Sequence, residues 1–149
     1  MLATSEQVAK FVADPDPQKR EKKVDELLAK NEFTDLWALK WSELLQIRTE
    51  QNNGGYKATL GYYNWIHEQL EKNVPINQVA AQLIAASGSN LENPAANYYQ
   101  IETDPLKLAE DTAQAFMGIR IQCAQCHNHP FDRWTMDDYR GFVAFFTQV

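Results

Sequence analysis

Apolar side chains recur every three or four residues along most of the chain, and nowhere do they alternate over a useful length. That period belongs to helices rather than strands. Thr4 with Gln7 three residues later forms a capping-box signature, opening a short helix through Phe11 and Val12. Asp14-Pro15-Asp16-Pro17 breaks it, and Pro17 suits the first position of a second helix reaching about Lys30, with Val24, Leu27 and Leu28 as its stripe. Thr34 is expected to cap a third helix to about Arg48, in which Phe33, Leu36, Trp37, Trp41, Leu44 and Leu45 fall at helical spacing.

Gln51-Asn52-Asn53-Gly54-Gly55 reads as a flexible connection. The next helix runs from about Lys57 to Lys72, with Tyr63, Ile66 and Leu70 on one face and His67 beside it. Asn77 opens another through Val79, Leu83 and Ile84, which Gly88 stops. Asn93 and Pro94 start a short turn or helix carrying Tyr98 and Tyr99. Asp104 and Pro105 then open a long helix with Leu106, Ala109, Ala113, Phe116, Arg120 and Cys123 along one side. Pro130 interrupts regular structure, and Thr135 with Asp138 starts a last helix through Tyr139, Phe142 and Phe146. The expected fold is all-α, an irregular multi-helix bundle whose core includes Trp37, Trp41, Leu44, Leu83, Phe116, Phe142 and Phe146.

Composition sharpens this picture only slightly. With 149 residues, 44% hydrophobic and 23% charged, the chain has ordinary globular content and room for one core. A net charge of −6 argues against a nucleic-acid surface and favours a protein partner with a basic face. No apolar run approaches the roughly 20 residues of a membrane span. The segment Lys19-Arg20-Glu21-Lys22-Lys23 reads as a solvated face.

Chemistry concentrates between Gln122 and Trp134, which holds both cysteines and two of the three histidines. Cys123, Cys126 and His127 form a Cys-x-x-Cys-His sequence, the spacing that attaches c-type haem. Two thiols three residues apart sit about one helical turn apart and can reach the two vinyl groups of one porphyrin. His127 is then held beside the macrocycle as an axial ligand to the iron. Three other readings fit the same residues. The pair could be a redox dithiol, although the usual βαβ pattern is absent. Cys123, Cys126, His127 and His129 could hold zinc, although structural zinc sites draw ligand pairs from separated segments. The cysteines could also be small packed thiols without chemistry.

Around the motif, Asp132 could accept from the ligating imidazole, and Arg120 or Arg133 could pair with haem propionates. Asp132 and Arg133 suit the capping of an interhelical turn equally well. His129 is too close to His127 to approach the opposite haem face, because residues two apart span at most about 7 Å. Met136, nine residues on, has the chain length to supply a sixth ligand. His67 is the second candidate, and an open or water-bound position the third. The aromatic stripe around Trp37 and Trp41 could serve both as core and as the apolar wall of a porphyrin.

The block at residues 116–139, with Cys123, Cys126, His127, His129, Pro130, Phe131, Asp132 and Trp134, resembles a planctomycete cytochrome c-like domain family of unknown function. So do residues 33–45, the Ala86-Ser87-Gly88-Ser89-Asn90 stretch, Asn93-Pro94-Ala95-Ala96-Asn97-Tyr98-Tyr99, and Ala144-Phe145-Phe146. That family usually carries Asp where this chain has Asn128. The resemblance implies one cytochrome c-like domain over residues 1–149, truncated at its N-terminus and excised from a large secreted protein. It implies a periplasmic or cell-surface location, with other domains of the parent or a redox protein as partners. The expectation is haem c with electron transfer; the alternative is a non-redox structural or interaction module whose Cys/His cluster binds zinc or is simply buried. No constellation for substrate catalysis is evident.

Overall fold

The computed structural model describes residues 2–48 and 55–147. These residues form eight α-helices joined by short turns, with no strand among them. The all-α expectation holds. The expected glycine-rich connection at residues 51–55 falls, but for Gly55, outside the described residues.

Helix α1 (Ser5–Ala13) begins at the expected capping box: the Thr4 hydroxyl accepts from the Gln7 amide, and the Gln7 side chain accepts from Thr4 N–H. Helix α2 (Lys19–Leu28) starts two residues later than Pro17 suggested, because Asp14 and Asp16 side chains accept amides within the turn. Neither α1 nor α2 buries a residue, and Val24, Leu27 and Leu28 stay half exposed.

Helix α3 (Asn31–Leu44) starts before the proposed Thr34 cap, from a Lys30 with extended backbone and no side-chain cap. It packs along α4 (Gly55–Glu71). Small residues line the buried sides of both helices, with Ala38 and Ser42 on α3 and Ala58 and Thr59 on α4. The Ser42 hydroxyl donates to the Ala38 carbonyl at 2.7 Å, which satisfies it inside the contact. This corrects the expected core: Trp37 is 46% exposed and Leu44 40% exposed. Trp41 is half-buried and stacks on Phe116 with ring centroids 6.2 Å apart.

Helix α5 (Ile76–Ile84) contributes Val79 and Leu83 to the core. A 3-10 turn (Pro94–Asn97) leads into α6 (Tyr98–Ile101). Between them sits a polar clasp. The fully buried Asn97 donates through Nδ2 to the Asn90 and Pro94 carbonyls at 3.0 and 2.9 Å, and its Oδ1 accepts from Asn90 Nδ2 at 3.2 Å.

Asp104 caps α7 (Pro105–Thr112) through the Leu106 amide at 2.9 Å, with Pro105 at its first turn as expected. The long helix predicted onward to Cys123 does not form. The chain widens into a π-type turn (Ala113–Met117) and stops at Gly118, whose φ of 67° and ψ of 20° are left-handed. The Ala113 carbonyl accepts from both Gly118 N–H and Ile119 N–H. Helix α8 (Met136–Ala144) opens with the expected Thr135/Asp138 capping box and packs against α7. The core joins Leu45, Tyr62, Ile66, Leu83, Leu108, Ile121, Ala124, Tyr139, Val143 and Phe146, with Phe116 and Phe142 packed against its edge.

Candidate functional site

Because α7 ends at Gly118, Cys123 lies on a separate 3-10 turn (Gln122–Gln125) and Cys126 caps the end of that turn. A 3-10 helix has about three residues per turn, so side chains at i and i+3 eclipse. An i, i+3 spacing thus tends to place two side chains on one face, and Cys123 and Cys126 are both exposed free thiols. Ala124, fully buried, and Ile121 anchor the turn in the core. The turn packs on α8. Both thiols are thus open to solvent beside a buried anchor.

His127 is exposed beside them. Its Nδ1 lies 2.7 Å from the Asn128 carbonyl. A carbonyl oxygen only accepts, so Nδ1 carries the proton and Nε2 keeps its lone pair. That is the arrangement of a ligand imidazole, whose second nitrogen is fixed by a backbone acceptor. His129 differs. Its Nε2 donates to the Arg120 carbonyl at 3.1 Å, and its Nδ1 accepts from the Phe131 amide at 3.3 Å. The His129 amide also donates to the Trp134 carbonyl at 2.7 Å. Both ring nitrogens are engaged, and His129 works as a strut tying the loop to Arg120 in the segment before the cysteines.

Asp132 does not meet His127; its Oδ1 accepts from the Arg133 amide at 2.7 Å. The guanidinium of Arg133 lies 4.9 Å from the Trp134 ring centroid, and Arg120 is exposed with no ion pair among the described residues. Met136 is anchored through its amide to Asn128 Oδ1 at 3.2 Å. His67 sits on α4, where its Nε2 is 2.9 Å from Asp35 Oδ1 across the α3–α4 contact. No three His, Cys, Asp or Glu side chains converge into a metal-holding group among the described residues.

Under the turn lies a cavity of about 40 Å³ lined by Met117, Ile121, Trp134, Asp138, Tyr139 and Phe142. The buried Trp134 Nε1 has no hydrogen-bond partner there. Such an orphaned donor calls for a water or another acceptor. Tyr139 donates its hydroxyl to Glu110 Oε1 at 2.8 Å. Burial, reinforced by Glu110, raises its phenol well above the ordinary 10.0, and Cys126 is within electrostatic reach of it.

Residues 1–149 match the family model described as PSCyt2, protein of unknown function (DUF1549). The chain belongs to that family. No curated protein and no solved structure matches the chain. In this family member, sequence reading found the cysteines and His127 from their spacing, but not the Asn128 carbonyl that orients the imidazole. A main-chain acceptor carries no sequence signature. No helix among the described residues is long and apolar enough to cross a membrane.

Proposed function

We propose that the chain binds haem c through thioether bonds at Cys123 and Cys126, takes His127 Nε2 as an axial ligand, and passes single electrons within a periplasmic or surface protein. The observation that carries this reading is the His127 imidazole, with Nδ1–H held by the Asn128 carbonyl, next to two exposed free thiols three residues apart.

The residues fit the group. Cys123 and Cys126 would each add their S–H across one vinyl double bond, the sulfur to one carbon and the hydrogen to the other, with no net oxidation. The cavity holds about one water molecule, so it cannot enclose a porphyrin. Apolar cover comes instead from surface side chains: Phe131 is 93% exposed within the motif, and Met117 is half exposed beside the cavity. Arg120 and Arg133 supply positive charge for propionates. What bound haem supplies is a one-electron couple. For a second iron ligand, Met136 is held to Asn128 only through its amide, which leaves its thioether as the first candidate, and His67, paired with Asp35, as the second. The net charge of −6 favours a basic redox partner, with association slowed by salt.

Production in a periplasm competent for haem attachment tests the reading. The protein is expected to be red and to keep its haem after denaturation, and Cys123→Ala with Cys126→Ala releases it. Colourless protein containing stoichiometric zinc refutes it.

A further inference from the structure

Asn128 touches both the ligand histidine and the last helix. Its carbonyl accepts from His127 Nδ1 at 2.7 Å, and its side-chain Oδ1 accepts from the Met136 amide at 3.2 Å. Met136 is the first residue of α8, and the first amides of a helix have no intrahelical acceptor. Helix α8 is a fixed point, because Tyr139 and Val143 are buried in the core and its capping box is closed. The neighbouring polar side chains are engaged elsewhere: His129 with Arg120 and Phe131, and Asp132 with Arg133.

We infer that Asn128 is a positioning residue, whose side chain hangs on the start of α8 and so holds its own carbonyl where it keeps His127 in the Nδ1–H form, with Nε2 presented as the ligating atom. The inference deepens the haem reading and rests on it only for what Nε2 binds. A hydrogen bond to Nδ1–H also makes the imidazole a stronger donor. Asn128 thus links the electronic character of the ligand to the placement of a helix. Asp at this position would accept the same amide, with its charge favoured at a helix N-terminus.

The test reads the His127 tautomer directly, by nitrogen-15 magnetic resonance of the haem-free chain at a pH well above the ~6.5 of an ordinary imidazole. In the wild type the Nδ1–H form is expected to dominate. Asn128→Ala should lower the ratio of Nδ1–H to Nε2–H roughly two- to tenfold, the equilibrium equivalent of one net hydrogen bond. Asn128→Asp should restore it. Asn128 is exposed, so the helical content of both variants is expected to match the wild type. The inference is overturned by a dominant Nε2–H form in the wild type, by an unchanged ratio in Asn128→Ala, or by a fall that Asn128→Asp does not reverse. In haem-loaded protein, Asn128→Ala should raise the reduction potential, because a less basic imidazole stabilises oxidised iron less; an unchanged potential counts against the inference. The expected tautomer ratios in a chain that takes up no haem would uphold the positioning role while removing the haem reading.

Discussion

Gly118 separates two arrangements of the cysteine segment, and one substitution distinguishes them. In the structure its φ of 67° is left-handed, a conformation that costs an L-residue about 1–2 kcal/mol. A Cβ added there meets nothing within 4 Å beyond its chain neighbours, so no tertiary clash adds to that local cost. Gly118→Ala should therefore destabilise by about 1–2 kcal/mol. Had the helix continued to Cys123, as the apolar spacing suggests, the same change would stabilise by about 1 kcal/mol, since Ala is the better helix former. The two arrangements thus differ in sign and by about 2–3 kcal/mol. Gly141, inside α8 with nothing within 4 Å of an added Cβ, is the internal control, and Gly141→Ala should gain up to about 1 kcal/mol. Urea unfolding followed by circular dichroism, with the slope unchanged among variants, gives the comparison. The midpoint of thermal unfolding should fall by about 2–8 °C for Gly118→Ala. Stabilisation by Gly118→Ala, parallel to Gly141→Ala, would refute the break in the helix and with it the 3-10 presentation of the thiols.

Two further outcomes follow from buried polar groups. Tyr98 donates to Thr112 Oγ1 at 2.6 Å while Thr112 donates to the Leu108 carbonyl, and burial pushes the Tyr98 phenol from 10.0 up to about 12. The folded state then holds a proton that the unfolded chain releases first, so stability is intact below pH ~10 and falls as pH rises toward ~12, by about 3 kcal/mol for this group. Tyr98→Phe should flatten that part of the alkaline decline in urea titrations, and an unchanged decline would contradict it. Asn97→Ala takes a donor from the half-buried Asn90 and Pro94 carbonyls and leaves a small void, and should cost about 1–3 kcal/mol in the same assay, with a loss below about 0.5 kcal/mol counting against the clasp.

Features set by a few neighbouring residues could be read from the sequence. The capping boxes at Thr4 and Thr135 and the Asp104-Pro105 start are local hydrogen-bond chemistry, and each is where the spacing puts it. Periodicity also marked α3 as amphipathic, but not which side would be covered. Its buried side runs through Ala38, Trp41, Ser42 and Leu45, since small residues let α4 approach, while the bulkier Trp37 and Leu44 face outward. The start of α3 was misplaced because Asn31 and Glu32 extend the helix without an apolar signal. The break at Gly118 was hidden because apolar spacing continues past it, whereas the deciding quantity is one backbone angle. At the site, Cys123, Cys126 and His127 were legible as a unit. The roles of Asn128 and His129 were not, because both work through main-chain atoms of residues that only the folded loop brings near.

The cysteine turn reaches the core through Ala124 alone among residues 123–126, while both sulfurs remain outside. The apolar interior therefore closes without either thiol. On the haem reading proposed above, folding and attachment would then be separable in time, and the folded polypeptide would be the substrate on which its sulfurs are modified.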